Sequence, residues 1–166
     1  MKCLKIILFV IVLTGLLSCG PVISTQTMSY VDPQITFQEL INDPDRYKGK
    51  TVVLGGRIIG TSVKPNETVI EILQQPLEYR QRPQNADVSF GRFLVRFPDY
   101  RDPAVYAPGR SITVAGQVAG REVLKLGQSD YGYPVLVSRE AYLWKVEDVY
   151  APEPQFHFGV GIGIFR

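Results

Sequence analysis

Histidine and cysteine are almost missing from this chain. Its 166 residues contain one histidine, His157, and two cysteines, Cys3 and Cys19. No His/Cys cluster has metal-ligand spacing, so no metal is expected. His157 lies near the C-terminus, far in sequence from any acid that could orient it. No serine or cysteine nucleophile pairs with it, so it is read as solvent-exposed and no catalytic residue is assigned. No glycine-rich loop precedes a helix as a phosphate cradle would; Gly55-Gly56 falls inside a strand pattern. No cofactor is therefore expected. Asp99 and Asp102 are close in sequence, but Asp102-Pro103 is turn chemistry rather than a carboxylate pair. An excess of one charge is missing too, with 18 basic residues against 16 acidic. Long apolar runs are confined to the N-terminus, and nothing later approaches the ~20 residues that a membrane span requires.

What is present begins at that N-terminus. Lys2 and Lys5 precede an unbroken apolar run from Ile6 to Leu13, then Thr14-Gly15 and Leu16-Leu17-Ser18-Cys19. The positive start and short apolar centre have the form of a signal peptide. Leu16, Leu17, Ser18 and Cys19 resemble a lipobox, the cleavage and acylation signal of bacterial lipoproteins. Small and apolar residues let the backbone extend into a membrane protease, and the thiol accepts a diacylglycerol group. Cleavage would remove residues 1–18 and make Cys19 the new N-terminus and the lipidation site. The alternative is an uncut N-terminal transmembrane anchor. Cleavage also removes Cys3, so no disulfide can form. It removes Lys2 and Lys5 and no acid, leaving 16 basic residues against 16 acidic. A neutral domain has no electrostatic case for nucleic acid. Gly20 follows the cysteine, where an aspartate commonly marks inner-membrane retention in the lipoproteins this resembles. Its absence favours the outer membrane.

The remaining roughly 150 residues suffice for one domain with a core. Residues 19–33 are polar, with Pro21, Ser24, Thr25, Gln26, Thr27 and Ser29, and are expected to form a flexible tether from the lipidated cysteine. A helix follows, with Thr36 as N-cap, Glu39 as its capping-box partner and Phe37, Leu40 and Ile41 on one face. Asp43-Pro44 ends it. From Thr51 the period becomes two. Strands are expected over Thr51–Ile59, Thr68–Gln74, Arg92–Phe97, Ser111–Ala119, Val123–Leu126 and Tyr133–Ser138, with a last apolar piece at Ala141–Trp144. Asn66 marks a turn, and residues 127–132 a loop. Gly55-Gly56 suggests a bulge or sharp coil. The expected fold is mainly β: a small OB-like antiparallel barrel of five or six strands with one N-terminal helix, over residues 34–150. An open sandwich is the alternative. Residues 151–166 form a Pro/Gly-rich tail in which Phe156–Phe165 alternates glycine with apolar residues. Three readings stand there: disorder, loose docking as an edge strand, or contact with a membrane or partner.

The ordered series Phe37…Leu40…Pro44…Tyr47-Lys48-Gly49-Lys50, Val52…Gly55-Gly56-Arg57-Ile58, Ile70-Glu71-Ile72-Leu73-Gln74, Gly91-Arg92-Phe93-Leu94-Val95, Asp102-Pro103-Ala104-Val105-Tyr106, Gly109–Gly116, Tyr133-Pro134-Val135 and Leu143-Trp144 is similar to the Slp family of outer-membrane lipoproteins, named for starvation induction. The resemblance covers the lipobox and about residues 34–146. It implies an acylated envelope protein with no established enzyme activity, associated with slow growth and envelope stress. The membrane lipid attached to Cys19 is the partner it implies.

One surface feature invites a second reading. Arg80, Arg82, Arg92, Arg96, Arg101 and Arg110 stand among Tyr79, Tyr100 and Tyr106. On an OB-like face they could hold a glycan, a polyanion or a protein partner of the envelope. The competing expectation is that they pair with nearby acids such as Glu78, Asp87 and Asp99.

Overall fold

The computed structural model describes residues 20–84 and 87–145. The lipobox and the tail of residues 151–166 lie outside them, as does the Val146–Tyr150 end of the expected domain. Among the described residues five strands form: β1 (Thr51–Lys64), β2 (Glu67–Gln74), β3 (Arg92–Phe97), β4 (Ser111–Leu126) and β5 (Ser129–Leu143). They close into a barrel in the order β1-β2-β3-β5-β4. Every neighbouring pair is antiparallel except β3 and β5, which run parallel where Leu94–Arg96 meets Val135–Val137. This strand order is that of the OB-type barrel.

Closure depends on β1 serving two partners. Residues 51–57 pair with β4, and from Gly56 onward β1 pairs with β2. Gly56 lies at the handover, where a Cβ would sit 2.8 Å from the Leu73 carbonyl carbon. Only glycine admits that approach. The expected bulge does exist, but it lies between Ile58 and Gly60 rather than at the glycine pair.

The core follows from strand alternation. Ile70 and Ile72 of β2, Phe93, Val95 and Phe97 of β3, and Ile112, Val114 and Val118 of β4 all point inward and are buried. A short helix, which we label α2 (Phe37–Asn42), plugs the barrel with Phe37 and Leu40. The Phe37 and Phe93 rings meet at 5.9 Å. The capping box forms as expected: Glu39 N–H donates to Thr36 Oγ1, and the Glu39 carboxylate accepts from Thr36 N at 2.8 Å. These bonds hold the Glu39 carboxyl below its usual range. The helix ends before Asp43-Pro44.

Two expectations are corrected. The pieces expected at Ser111–Ala119 and Val123–Leu126 are one strand, β4, and those expected at Tyr133–Ser138 and Ala141–Trp144 merge into β5, which ends at Leu143. A register shift skips Ala119 after Val118, and pairing resumes at Gly120, at φ +113°, with Val135. The expected loop at residues 127–132 shrinks to a turn at Gly127-Gln128. The second correction is the tether. Residues 20–33 are packed on the barrel: α1 (Thr25–Met28) is capped by Ser24, Ile23 is 0% exposed, and Val31 bridges Thr51. An apolar side chain inside a polar stretch found a site on the barrel, and polar groups distant in sequence completed it.

Candidate functional site

The described chain starts one residue after Cys19, so the packing of Gly20–Met28 determines where an anchor would leave the domain. The turn Tyr79–Gln81 receives this segment. Arg80 Nε donates to the Gly20 carbonyl at 3.3 Å. Gln81 Oε1 accepts the Ile23 N–H at 3.1 Å, and its Nε2 lies 3.1 Å from Met28 Sδ. Across the segment, the Glu140 carboxylate accepts from Ser24 N at 2.9 Å and from Ser24 Oγ at 2.7 Å. Burial raises the Glu140 pKa, but hydrogen bonds from Thr27 and Ser24 outweigh it and leave the group below its usual value.

The turn itself is strained. Arg80 and Gln81 have φ of 59° and 63°. Left-handed backbone costs an L-residue about 1–2 kcal/mol. A polar chain holds it in place. Thr113 Oγ1 donates to the Gln81 carbonyl at 2.7 Å and accepts from Trp144 Nε1 at 3.0 Å. Arg82 lies over the Trp144 ring, and Tyr142 meets it edge-on.

A second feature occupies another side of the barrel. A groove of about 300 Å³ is lined by Ser62 and Lys64 of β1, Val69 and Glu71 of β2, Leu94 of β3, and Glu122 and Leu124 of β4. Its floor is apolar, because Val69 and Leu94 join Tyr133 and Val135 in a buried cluster outside the barrel. Its sides carry ion pairs. Arg92 meets Glu71 at 2.8 Å, and Arg96 meets Glu122 at 2.7 Å and Glu67 at 4.0 Å. Tyr133 OH donates to Glu71 at 3.1 Å, and Tyr131 OH accepts from Arg92 N at 2.9 Å. Burial and the adjacent Glu71 charge raise the Tyr133 pKa. The hydrogen bond to Glu71 raises that of Arg92.

The arginine–tyrosine set is not gathered on one face. Arg101 pairs with Asp99 at 2.8 Å and lies over Phe97 and Tyr106. Arg110 donates to the carbonyls of Val105 and Trp144. Tyr79 follows the Gln74 end of β2, whereas Tyr100 lines a concavity with Asn66 and Glu67 at the opposite end. Local pairing is thus what forms. Of the acids expected to provide it, Asp99 does so; Glu71, Glu67 and Glu122 serve Arg92 and Arg96. Asp102 closes its turn by accepting from Ala104 N. His157 lies outside the described residues. Among the described residues no helix is long and apolar enough to cross a membrane, and no group of three His, Cys, Asp or Glu side chains could hold a metal. The sequence reading did not single out Ile23, Gln81, Glu122 or Glu140. Of these only Ile23 left a signal, as part of an apolar pair in a polar stretch.

The family model for outer-membrane lipoproteins of the Slp type matches residues 16–161. The chain belongs to the Slp family. Slp relatives include an uncharacterised protein of Haemophilus influenzae, 40% identical over 102 residues, which covers 61% of this chain and 55% of that protein. Escherichia coli K12 supplies two more. The uncharacterized lipoprotein YeaY is 26% identical over 78% of this chain and 69% of its own length; outer membrane protein Slp is 25% identical over 71% and 62%. The chain thus spans about half the length of the Haemophilus relative. Membership assigns the chain to the outer-membrane lipoproteins. Among solved structures, yeast mitochondrial single-stranded DNA binding protein Rim1 overlays with a TM-score of 0.37 at 17% identity, over 57% of this chain and 94% of that one. Fission yeast Pot1pC bound to single-stranded DNA overlays at 0.34 and 12%, over 71% and 87%. Overlays this loose add nothing to the strand order, which defines the fold.

Proposed function

We propose that this protein is a non-enzymatic lipoprotein, acylated at Cys19, that sits on the periplasmic face of the outer membrane and supports the envelope through its anchor and its domain contacts. The observation that carries this reading is the lipobox Leu16-Leu17-Ser18-Cys19 placed directly before a folded Slp-type barrel. Two or three acyl chains on one cysteine give stable residence, because one chain alone binds marginally and each buried CH₂ adds about 0.8 kcal/mol. Membrane fractionation and intact mass, beside Cys19→Ala, test it. A wild type starting at residue 19 with an acyl increment, floating with outer membrane while the variant does not, supports the reading. A wild type that keeps residues 1–18 and carries no lipid overturns it.

A second reading rests on the groove. Its apolar floor, with charged sides that balance locally, suits a protein or glycan partner better than a polyanion, since each arginine there already faces a carboxylate. Arg92→Ala with Arg96→Ala tests it. Unchanged binding to lipopolysaccharide and peptidoglycan fragments removes those ligands.

A further inference from the structure

We propose that the turn Tyr79–Gln81 is a bilayer-contacting face, which holds the barrel against the headgroups of the membrane that carries its anchor. The inference rests on acylation at Cys19 and goes beyond it, because a lipid on a loose tether would leave the barrel free to turn.

Successive Cα atoms lie about 3.8 Å apart. A lipid on Cys19 therefore leaves the protein within one residue of Gly20. Gly20 is bonded to Arg80, Ile23 is buried against the barrel, and Ser24 is held by Glu140. Little slack remains between the acyl chains and the turn. The side chains at that point suit a headgroup layer. Tyr79 is 72% exposed, and an exposed tyrosine places an apolar ring and a polar tip at the membrane boundary. Arg80 is exposed beside it and, among the described residues, bonds to Gly20 through its Nε. Its terminal nitrogens form the planar fork that matches a phosphate. From their left-handed backbone the Arg80 and Gln81 side chains both bond to the N-terminal segment, at Gly20 and Ile23.

The arrangement also orients the rest of the barrel. β2 is eight residues long, so its ends lie roughly 25 Å apart. The Tyr79 turn follows the Gln74 end, while the β1–β2 hairpin at Pro65-Asn66 caps the other. Val63 and Tyr100 are exposed at that far end, and Lys64 lines both concavities there. The groove, which includes Lys64 at that end, would then lie toward the side away from the bilayer.

The full acylated protein, reconstituted in vesicles of phosphatidylethanolamine and phosphatidylglycerol, allows a direct test. Maturation removes Cys3 and acylation consumes the Cys19 thiol, so an introduced cysteine is the single free thiol. Nitroxide labels are placed at Tyr79→Cys and, separately, at Asn66→Cys, both at exposed positions. Intact mass confirms the acyl chains. A label at 79 whose collision ratio of oxygen to a water-soluble nickel chelate is several-fold above that at 66 supports the proposal. Adding Gln81→Ala should lower the ratio at 79 toward that at 66. Equal aqueous ratios at both positions in a protein of confirmed acyl mass overturn the proposal and leave the anchor intact. A missing acyl mass overturns the anchor, and this proposal with it.

Discussion

Gln81 Oε1 accepts the backbone N–H of Ile23 across 58 residues of sequence. That bond joins the first described residues after Cys19 to the β2–β3 connection. A single side chain here closes both ends of one interaction, since the Gln81 amide nitrogen also reaches Met28.

Gln81→Ala should therefore loosen the N-terminal segment without opening the barrel. A lost hydrogen bond typically costs about 1 kcal/mol, more when a buried donor is left unpaired. Amide exchange should accelerate at Ile23 and through α1, while amides of Ile70, Ile72 and Val95 keep their protection. Uniform acceleration across the barrel would show that the segment is part of the global folding unit instead.

Acid should release the same segment. The Glu140 carboxyl is more acidic folded than unfolded, so it binds fewer protons in the native state. Its contribution is then fully present above the unfolded value and is lost as pH falls through the lowered one. Protection at residues 23–28, taken relative to the intrinsic exchange rate at each pH, should fall as pH drops below about 4.5, the ordinary value for glutamate. Glu140→Gln should flatten that dependence. A wild-type profile no steeper than that of the variant would place the acid sensitivity elsewhere.

What could be read from the sequence was local or periodic. The Thr36–Glu39 capping box spans three residues, and its partners meet whatever the rest of the chain does. Arg92 and Arg96 were legible as outward-facing because strand period two sets side-chain direction. Their partners were not. Glu71 meets Arg92 through the register of the β2–β3 pair, and Glu122 reaches Arg96 across β5, which barrel closure places between β3 and β4. The same holds for residues 20–33. Their polar composition reads as tether, and nothing nearby in sequence announces Gln81 or Glu140. The β4–β5 hairpin was divided by its glycines, since Gly120 marks a break in one dimension and a continued strand in three. Of the candidate sites, the lipobox-like Leu16-Leu17-Ser18-Cys19 was visible at once because such a motif is local in sequence. The groove needed the fold.

Phe93 tests whether the helix and barrel share one core. Its side chain is fully buried and packs against Phe37 of α2. Phe→Ala in such a site costs about 3–5 kcal/mol through lost transfer energy and the cavity left behind. Urea unfolding of Phe93→Ala should show that loss in its midpoint with one transition. A loss below about 1 kcal/mol would mean that α2 does not close the barrel as tightly as the contact implies.

Two glycines of β1 should behave oppositely. At Gly56 an added methyl group meets the Leu73 carbonyl and the Gln74 Cα, both backbone atoms that cannot rotate away. At Gly60, four residues later in the same strand, the space is open within 4 Å. Neither position needs a left-handed backbone, so sterics alone separate them. Forcing a methyl group into a packed site costs about 1–3 kcal/mol, and more when the obstacle is main chain. Gly60→Ala should fall within about 0.5 kcal/mol of wild type, as substitutions in open positions do. Gly56 is also where β1 passes from β4 to β2, so Gly56→Ala pushes apart the strands that close the ring. Its thermal midpoint should fall well below that of Gly60→Ala, with exchange rising first at the β1–β2 pairing around Leu73 and Gln74. Equal melting of the two variants would mean that β1 and β2 can separate at the handover without cost, and that closure depends on the β4 side alone.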